Sequence, residues 1–140
     1  MMNNVKKTNE VNNVKSEGKI DFSKFLSPKS ESNYGVLQLV NSDNGKRIVV
    51  MKEPQEKLGS PKQIQILLGE DSILIGTNLP NTDKSFEVKK GGTIYAAKLV
   101  GELTDKYNLD FTGKTSMTFY DFEYLQHGED TILAIKMNQD

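Results

Sequence analysis

Apolar residues change their spacing several times along the chain, and these changes mark the predicted elements. From residue 34 onward, short apolar runs bounded by turn residues predict strands at 36–40, 47–51, 63–66 and 72–75. Residues 52–59 predict a short helix, because Pro54 falls in its first turn and Gly59 is suited to its end. The order is therefore a strand pair, a helix and a β-hairpin, closing at Gly76.

The same order recurs in the second half of the chain. Gly-Gly-Thr-Ile at 91–94 parallels Gly-Lys-Arg-Ile at 45–48, and one-turn spacing of apolar residues predicts a helix over 96–108. Residues 115–119 then alternate as 63–67 do, and 129–135 parallel 70–76. We therefore expect an α+β, mainly β domain at 34–140, in which a small barrel is built from two repeats, 34–76 and 84–137.

Each repeat is too short to bury a core alone, since units of about 40–50 residues seldom do so without disulfides or metals. The two repeats should therefore share one core and fold together. The apolar residues expected to meet there are Ile48, Ile64, Ile66, Ile73 and Ile75 of the first repeat, and Ile94, Met117, Phe119, Ile132 and Ile135 of the second.

Residues 1–33 are polar and lack a sustained apolar period, which predicts a flexible, disordered tail. Within it, residues 20–28 concentrate four large apolar side chains before Pro28: Ile20, Phe22, Phe25 and Leu26. This segment could be a strap that packs on its own domain. Alternatively, it is a short linear motif through which Phe22, Phe25 and Leu26 dock on another protein.

Composition removes several kinds of site. The chain has no cysteine, which excludes disulfides and thiolate metal centres, and a single histidine, His127, in a turn-like setting. No apolar run approaches the roughly 20 residues needed to cross a bilayer, so a cytoplasmic protein without membrane contact is the default expectation. Net charge is −1, with six lysines against four acids in residues 1–33 and twelve basic residues against fifteen acids in the remainder.

The acidic pairs and glycines are more simply explained by structure than by chemistry. Glu70-Asp71 and Glu129-Asp130 suit turns, and Gly91-Gly92 lacks the ending of a phosphate-binding loop. Asp121 and Glu123 could share a strand face, where a solvated surface explains them more simply than acid–base catalysis. We therefore expect no enzymatic activity, no cofactor and no metal.

The segment Gly45-Lys46-Arg47-Ile48-Val49-Val50, followed by a helix ending Leu58-Gly59 and a β-hairpin, resembles the AbrB/SpoVT-type swapped-hairpin family. Two such units in one chain look like the tandem arrangement of the MraZ family. The resemblance implies an interdigitated barrel acting as a homodimeric, DNA-binding transcriptional regulator. Of the family's basic DNA-contacting set, Arg47 alone finds a match in the strand motif. A regulator of this kind would contact phosphates through Lys46, Arg47, Lys52 and Lys57, with Arg47 the best candidate for a base contact.

The chain departs from this family at positions that bear on DNA binding. Met51 stands where the family has proline after the first strand, and Thr93 stands where the second repeat would carry an arginine. Arg47 is the only arginine in the chain. A protein-binding derivative is therefore the alternative function: an inhibitor encoded by a phage or mobile element that acts on a host protein.

Late aromatic residues supply the surface for that alternative. Strand alternation predicts Met117 and Phe119 on one face and Tyr120, Phe122 and Tyr124 on the other. If the second face is exposed, its aromatics form a protein-binding surface. If the helix and tail cover the sheet on both faces, they are core.

Overall fold

The computed structural model describes residues 20–25 and 35–138. The chain divides into two units, Met1–Ser32 and Asn33–Asp140, each considered by itself. In the first unit, Phe22–Lys24 form a 3₁₀ turn. The Asp21 carboxylate accepts hydrogen bonds there from the Ser23 backbone N–H at 3.2 Å and the Ser23 hydroxyl at 2.6 Å. The rest of the predicted tail lies outside the described residues.

Residues 35–138 form a mainly β structure with two α-helices, which agrees with the predicted α+β class. A second 3₁₀ turn lies at Lys90–Gly92. The helices are α1 (Lys52–Lys57) and α2 (Ala97–Lys106), and the strands are β1 (Leu37–Ser42), β2 (Gly45–Val50), β3 (Gln63–Leu68), β4 (Ser72–Gly76), β5 (Phe86–Glu87), β6 (Thr93–Tyr95), β7 (Ser116–Phe119), β8 (Phe122–His127) and β9 (Asp130–Lys136).

The strands form two antiparallel sheets. The four-stranded sheet has the order β6-β2-β1-β7, and the five-stranded sheet has the order β5-β3-β4-β9-β8. Strands in matching positions of the predicted repeats pair directly across the halves of the chain. Ile48 of β2 lies opposite Ile94 of β6, and Leu74 and Ile75 of β4 lie opposite Ala134 and Leu133 of β9.

The predicted barrel does not close within residues 35–138. Strand β5 is only two residues long, and a single isolated bridge between Lys89 and Thr93 is the link between the β5 segment and β6. The other corner is also open, because β7 ends at Phe119 and β8 begins at Phe122. At these two corners the strands are not joined by a continuous hydrogen-bonded ladder. The structure therefore has two sheets and not the expected barrel.

One apolar cluster fills the unit and draws on both halves of the chain. Of the ten residues expected to meet there, nine belong to it, as predicted. The exception is Ile132, which is buried but lies near Gly76 and Leu79, because alternation along β9 turns Leu133 and Ile135 towards the cluster. The core therefore joins the two halves, as expected.

Helix α2 buries Leu99, Val100 and Leu103 on one side. It is followed by Tyr107, whose hydroxyl donates a 2.7 Å hydrogen bond to the carbonyl oxygen of Gly69 in the turn between β3 and β4. The helix thereby holds one end of the five-stranded sheet. Neither helix in residues 35–138 is long and apolar enough to cross a membrane.

Candidate protein-binding surface

The basic residues expected to contact nucleic acid lie on two successive elements. Lys46 and Arg47 lie in the first half of β2, whereas Lys52 and Lys57 are at opposite ends of α1, which follows that strand. Two residues of strand lie between Arg47 and Val50, which are roughly 10 Å apart along the chain. Arg47 is half-buried, with Val40 and Tyr95 as its cross-strand neighbours.

Helix α1 does not present a basic face of its own. Its six residues include Glu53 and Glu56 beside the two lysines, so its side-chain charges balance. The Lys57 ammonium lies 5.9 Å from the centre of the Tyr124 ring, which places it within range of a cation–π contact. Lys57 is thus turned towards an aromatic side chain of β8.

Tyr124 therefore brings one predicted DNA-contacting residue together with the predicted protein-binding strand. Burial, and to a smaller degree the carboxylate of Glu53, raises the pKa of Tyr124. Its ring meets Phe122 edge to face, with the ring centres 5.4 Å apart. Its hydroxyl is buried without a hydrogen-bond partner among residues 20–25 and 35–138. Lys57 at the end of α1 and Tyr124 of β8 thus lie beside each other.

The alternation predicted for the late aromatics is interrupted. Tyr120 and Asp121 lie between β7 and β8 and belong to neither strand, so the period restarts at Phe122. Phe122 and Tyr124 lie opposite Ile135 and Leu133, which are fully buried, and Tyr124 packs against the core cluster. The three aromatics therefore do not form one exposed face. Tyr120 remains 51% exposed and Phe122 36%.

The other face of β8 carries residues that the sequence pattern did not assign to protein binding. Glu123, Leu125 and His127 are all exposed, Leu125 by 39% of its surface. Leu125 lies opposite the buried Ile132 of β9. The sequence alone does not indicate that Leu125 is exposed, because its exposure depends on the position of β8 in the sheet.

Strand β8 is also the last strand of its sheet. It pairs with β9 on one side, and no strand in residues 35–138 pairs with it on the other. Asp130 to Ile132 pair with β8 but with no residue of β4, so the end of this hairpin extends past its neighbour. The term β8 surface is used below for five residues: Tyr120, Phe122, Glu123, Leu125 and Gln126.

The predicted docking segment also exposes apolar side chains. Ile20, Phe22 and Phe25 are 65%, 72% and 68% exposed, and the two phenylalanine rings are 6.4 Å apart. The third predicted docking residue, Leu26, and Pro28 lie outside the described residues.

The residues considered for chemistry are dispersed. Within the part of the chain that the structure describes, no three histidine, aspartate or glutamate side chains are grouped to hold a metal ion. His127, Glu70, Asp71 and Glu129 are exposed and lie at or beside hairpin turns.

Comparison of the chain with protein-family models, with curated proteins and with solved structures gives no match. The resemblance to the swapped-hairpin family therefore remains a prediction.

Proposed function

We propose that this chain is a non-enzymatic protein-binding module whose contact surface is the β8 surface. One observation carries the proposal: a six-residue strand at the edge of a sheet exposes apolar side chains on both faces and has one backbone edge without a strand beside it among residues 35–138. Soluble proteins usually cover such an edge, because it is a template for pairing with another chain. Exposed aromatic and aliphatic side chains are typical centres of protein interfaces.

The charge of the domain supports a protein partner over DNA. Nucleic-acid binding relies on clustered lysine and arginine side chains that neutralise phosphates. Here Lys46 and Arg47 are separated from α1 along β2, the helix carries as many acids as lysines, and Lys57 lies at the Tyr124 ring. A DNA-binding regulator is therefore the less favoured function, and the inhibitor of a host protein is the favoured one.

The repeat architecture belongs to the same proposal. The opposed pairs Ile48–Ile94 and Leu74–Ala134 are what an internal two-fold axis between the two halves would produce, because equivalent strands then lie side by side. On this view the β8–β9 hairpin is the lengthened counterpart of β3–β4. Its extra length carries the end of β8 past β4.

Affinity capture from a nuclease-treated cell lysate tests the function. The bait is the full chain, compared with Leu125→Asp and with the matched control Tyr95→Asp, which replaces a 69% exposed side chain on the other sheet. We expect a stoichiometric protein partner with the wild-type chain and with Tyr95→Asp, and its loss with Leu125→Asp. A bait lacking residues 1–33 measures what the docking segment adds.

Two outcomes would overturn the proposal. The first is a partner that Leu125→Asp retains. The second is a gel-shift titration in which the chain binds duplex DNA and Arg47→Ala abolishes the binding, while the captured fraction contains no stoichiometric protein. The second outcome would restore the DNA-binding regulator.

A further inference from the structure

The four sheet edges in residues 35–138 are unequal. At three of them the terminal strands are short: β5 has two residues, β6 has three and β7 has four. Strand β8 has six, and its sequence, Phe-Glu-Tyr-Leu-Gln-His, contains neither lysine nor proline. Short length, proline and charged side chains, lysine above all, are the usual means by which proteins prevent edge pairing. Strand β8 is the longest of these four edge strands, and its one carboxylate is that of Glu123.

The hydrogen-bond pattern identifies the backbone groups that β8 presents to a neighbour. The N–H of Lys136 donates to the carbonyl oxygen of Asp121 at 2.9 Å, so these two residues are a hydrogen-bonded pair. Such pairs alternate along an antiparallel ladder, and the residues between them point their N–H and C=O groups away from the partner strand. On β8 these outward residues are Phe122, Tyr124 and Gln126. They offer three donors and three acceptors at the free edge.

The polar side chains of β8 are ordered from acidic to basic. Asp121 directly precedes the strand, Glu123 lies near its beginning and His127 at its end, and all three side chains are exposed. An imidazole donates a hydrogen bond to a carboxylate, and when protonated it also pairs with it as a cation. Antiparallel pairing of two identical strands brings the acidic beginning of one beside the histidine at the end of the other.

We propose that β8 pairs antiparallel with β8 of a second copy of this chain, with Tyr124 opposite Tyr124. This register places Phe122 opposite Gln126 of the second copy, so that all three outward residues of each strand form hydrogen-bonded pairs. It also places His127 of each copy beside Asp121 and Glu123 of the other, and brings the two Leu125 side chains to diagonal positions. The two five-stranded sheets then become one continuous sheet.

The inference rests on the proposed function, because it assigns an occupant to the free backbone edge of the same β8 surface. Its occupant is a second copy for a reason given by the strand itself: antiparallel self-pairing sets the carboxylates near the beginning of each strand beside the histidine at the end of the other. The segment around Phe22 is a poorer occupant, since Phe22–Lys24 form a 3₁₀ turn and not an extended strand.

A single backbone donor provides the first test. Gln126→Pro removes an outward N–H and leaves the ladder with β9 intact, because edge strands tolerate proline where the N–H faces away from the sheet. Gln126→Ala is the matched control, since it also loses the 3.2 Å hydrogen bond from the Thr131 hydroxyl to the Gln126 side chain but keeps the N–H. Sedimentation equilibrium of the full chain should show a dimer for wild type and Gln126→Ala. For Gln126→Pro we expect the dimer dissociation constant to rise by at least about tenfold.

Charge exchange provides the second test and is specific to self-pairing. His127→Glu should sediment as a monomer, because glutamate then faces Asp121 and Glu123 of the other copy. Asp121→Lys/Glu123→Lys should weaken the dimer, because it removes the carboxylates that accept hydrogen bonds from His127. Mixed one to one, the two variants should form a heterodimer, in which lysines face glutamate at one end and the native groups meet at the other. Circular dichroism melts of each variant establish that the monomers are folded.

A wild-type chain that stays monomeric, or a dimer that Gln126→Pro leaves unchanged, overturns the β8 pairing. A monomer that still captures another protein through Leu125 overturns the self-pairing alone and leaves the proposed function in place. A dimer that meets both tests but captures no other protein supports self-pairing and removes the host-protein inhibitor.

Discussion

Two tyrosines that pack against the core differ in what their hydroxyl groups contact. The Tyr107 hydroxyl donates to Gly69 and lies 3.3 Å from the Ser72 carbonyl oxygen, whereas the Tyr124 hydroxyl has no partner among residues 20–25 and 35–138. A satisfied hydrogen bond contributes to stability, while a buried hydroxyl without one is a cost. The same substitution at the two positions should therefore have opposite effects.

Tyr107→Phe should lower the free energy of unfolding by about 0.5–1.5 kcal/mol, since it removes a hydrogen bond that ties α2 to the turn between β3 and β4. Tyr124→Phe should be neutral or slightly stabilising. Urea denaturation at neutral pH measures both. An equal loss of unfolding free energy in the two variants would contradict this prediction.

Alkaline pH gives the same residues a second measurable property. Burial raises the pKa of Tyr107, with smaller contributions from the negative charges of Asp71 and Glu102, and burial also raises the pKa of Tyr124. Ionisation is then easier in the unfolded chain, which loses its tyrosine protons near pH 10. Stability should be complete below about pH 10 and fall as the pH rises through the folded-state values. Either phenylalanine variant should lessen this fall.

At the scale of elements, one glycine sets how closely α1 approaches the start of β6. Gly92 has a φ of 79°, and a Cβ atom there would collide with the Val50 carbonyl oxygen and the Gln55 side chain. Gln55 already uses its amide nitrogen to donate a 2.7 Å hydrogen bond to that carbonyl. The end of β2, the first turns of α1 and the 3₁₀ turn are thus packed with no space for a side chain.

Gly92→Ala should therefore destabilise the fold more than Gly91→Ala. Gly91 has a similar φ of 78°, but no atom lies within 4 Å of the position that an alanine methyl group would take, so alanine there costs only the left-handed backbone, about 1–2 kcal/mol. The overpacked site adds roughly 1–3 kcal/mol at Gly92. Thermal melts of the two variants measure the difference, and equal melting temperatures would contradict the close contact.

Local patterns predict most of the elements, but not the two-residue strand β5 and not which strands lie side by side. The spacing of Leu99, Val100 and Leu103 predicted α2, and the alternation of Ile64 and Ile66 predicted β3, because both signals arise from a single buried face. The free edge of β8 could not be predicted this way, since it depends on which distant strand lies beside it. The break between β7 and β8, at Tyr120 and Asp121, contains no glycine or proline. The sequence therefore predicts one continuous alternation where the structure has two strands.

At the scale of the whole molecule, each sheet combines strands from both halves of the chain. Strand β1 pairs with β7, β2 with β6, β3 with β5 and β4 with β9, and the core cluster contains residues from 36 to 137. Neither half retains its sheets without the other. Such interleaving predicts a single cooperative unfolding transition.

Substitutions in the two halves should therefore lower the same transition. Phe119 is fully buried and Ile66 is 8% exposed, and both belong to the shared cluster. Replacing either by alanine should cost about 2–5 kcal/mol by leaving a cavity, a large part of the stability of a small domain.

Separate fragments 34–80 and 84–140 should each fail to melt cooperatively, because every strand pairing between the halves is lost. Mixing them one to one should restore a cooperative melt, since the missing strands are then supplied from the other fragment. A monomeric fragment that melts cooperatively alone would show that the halves fold independently, and the shared core would then not be required for folding.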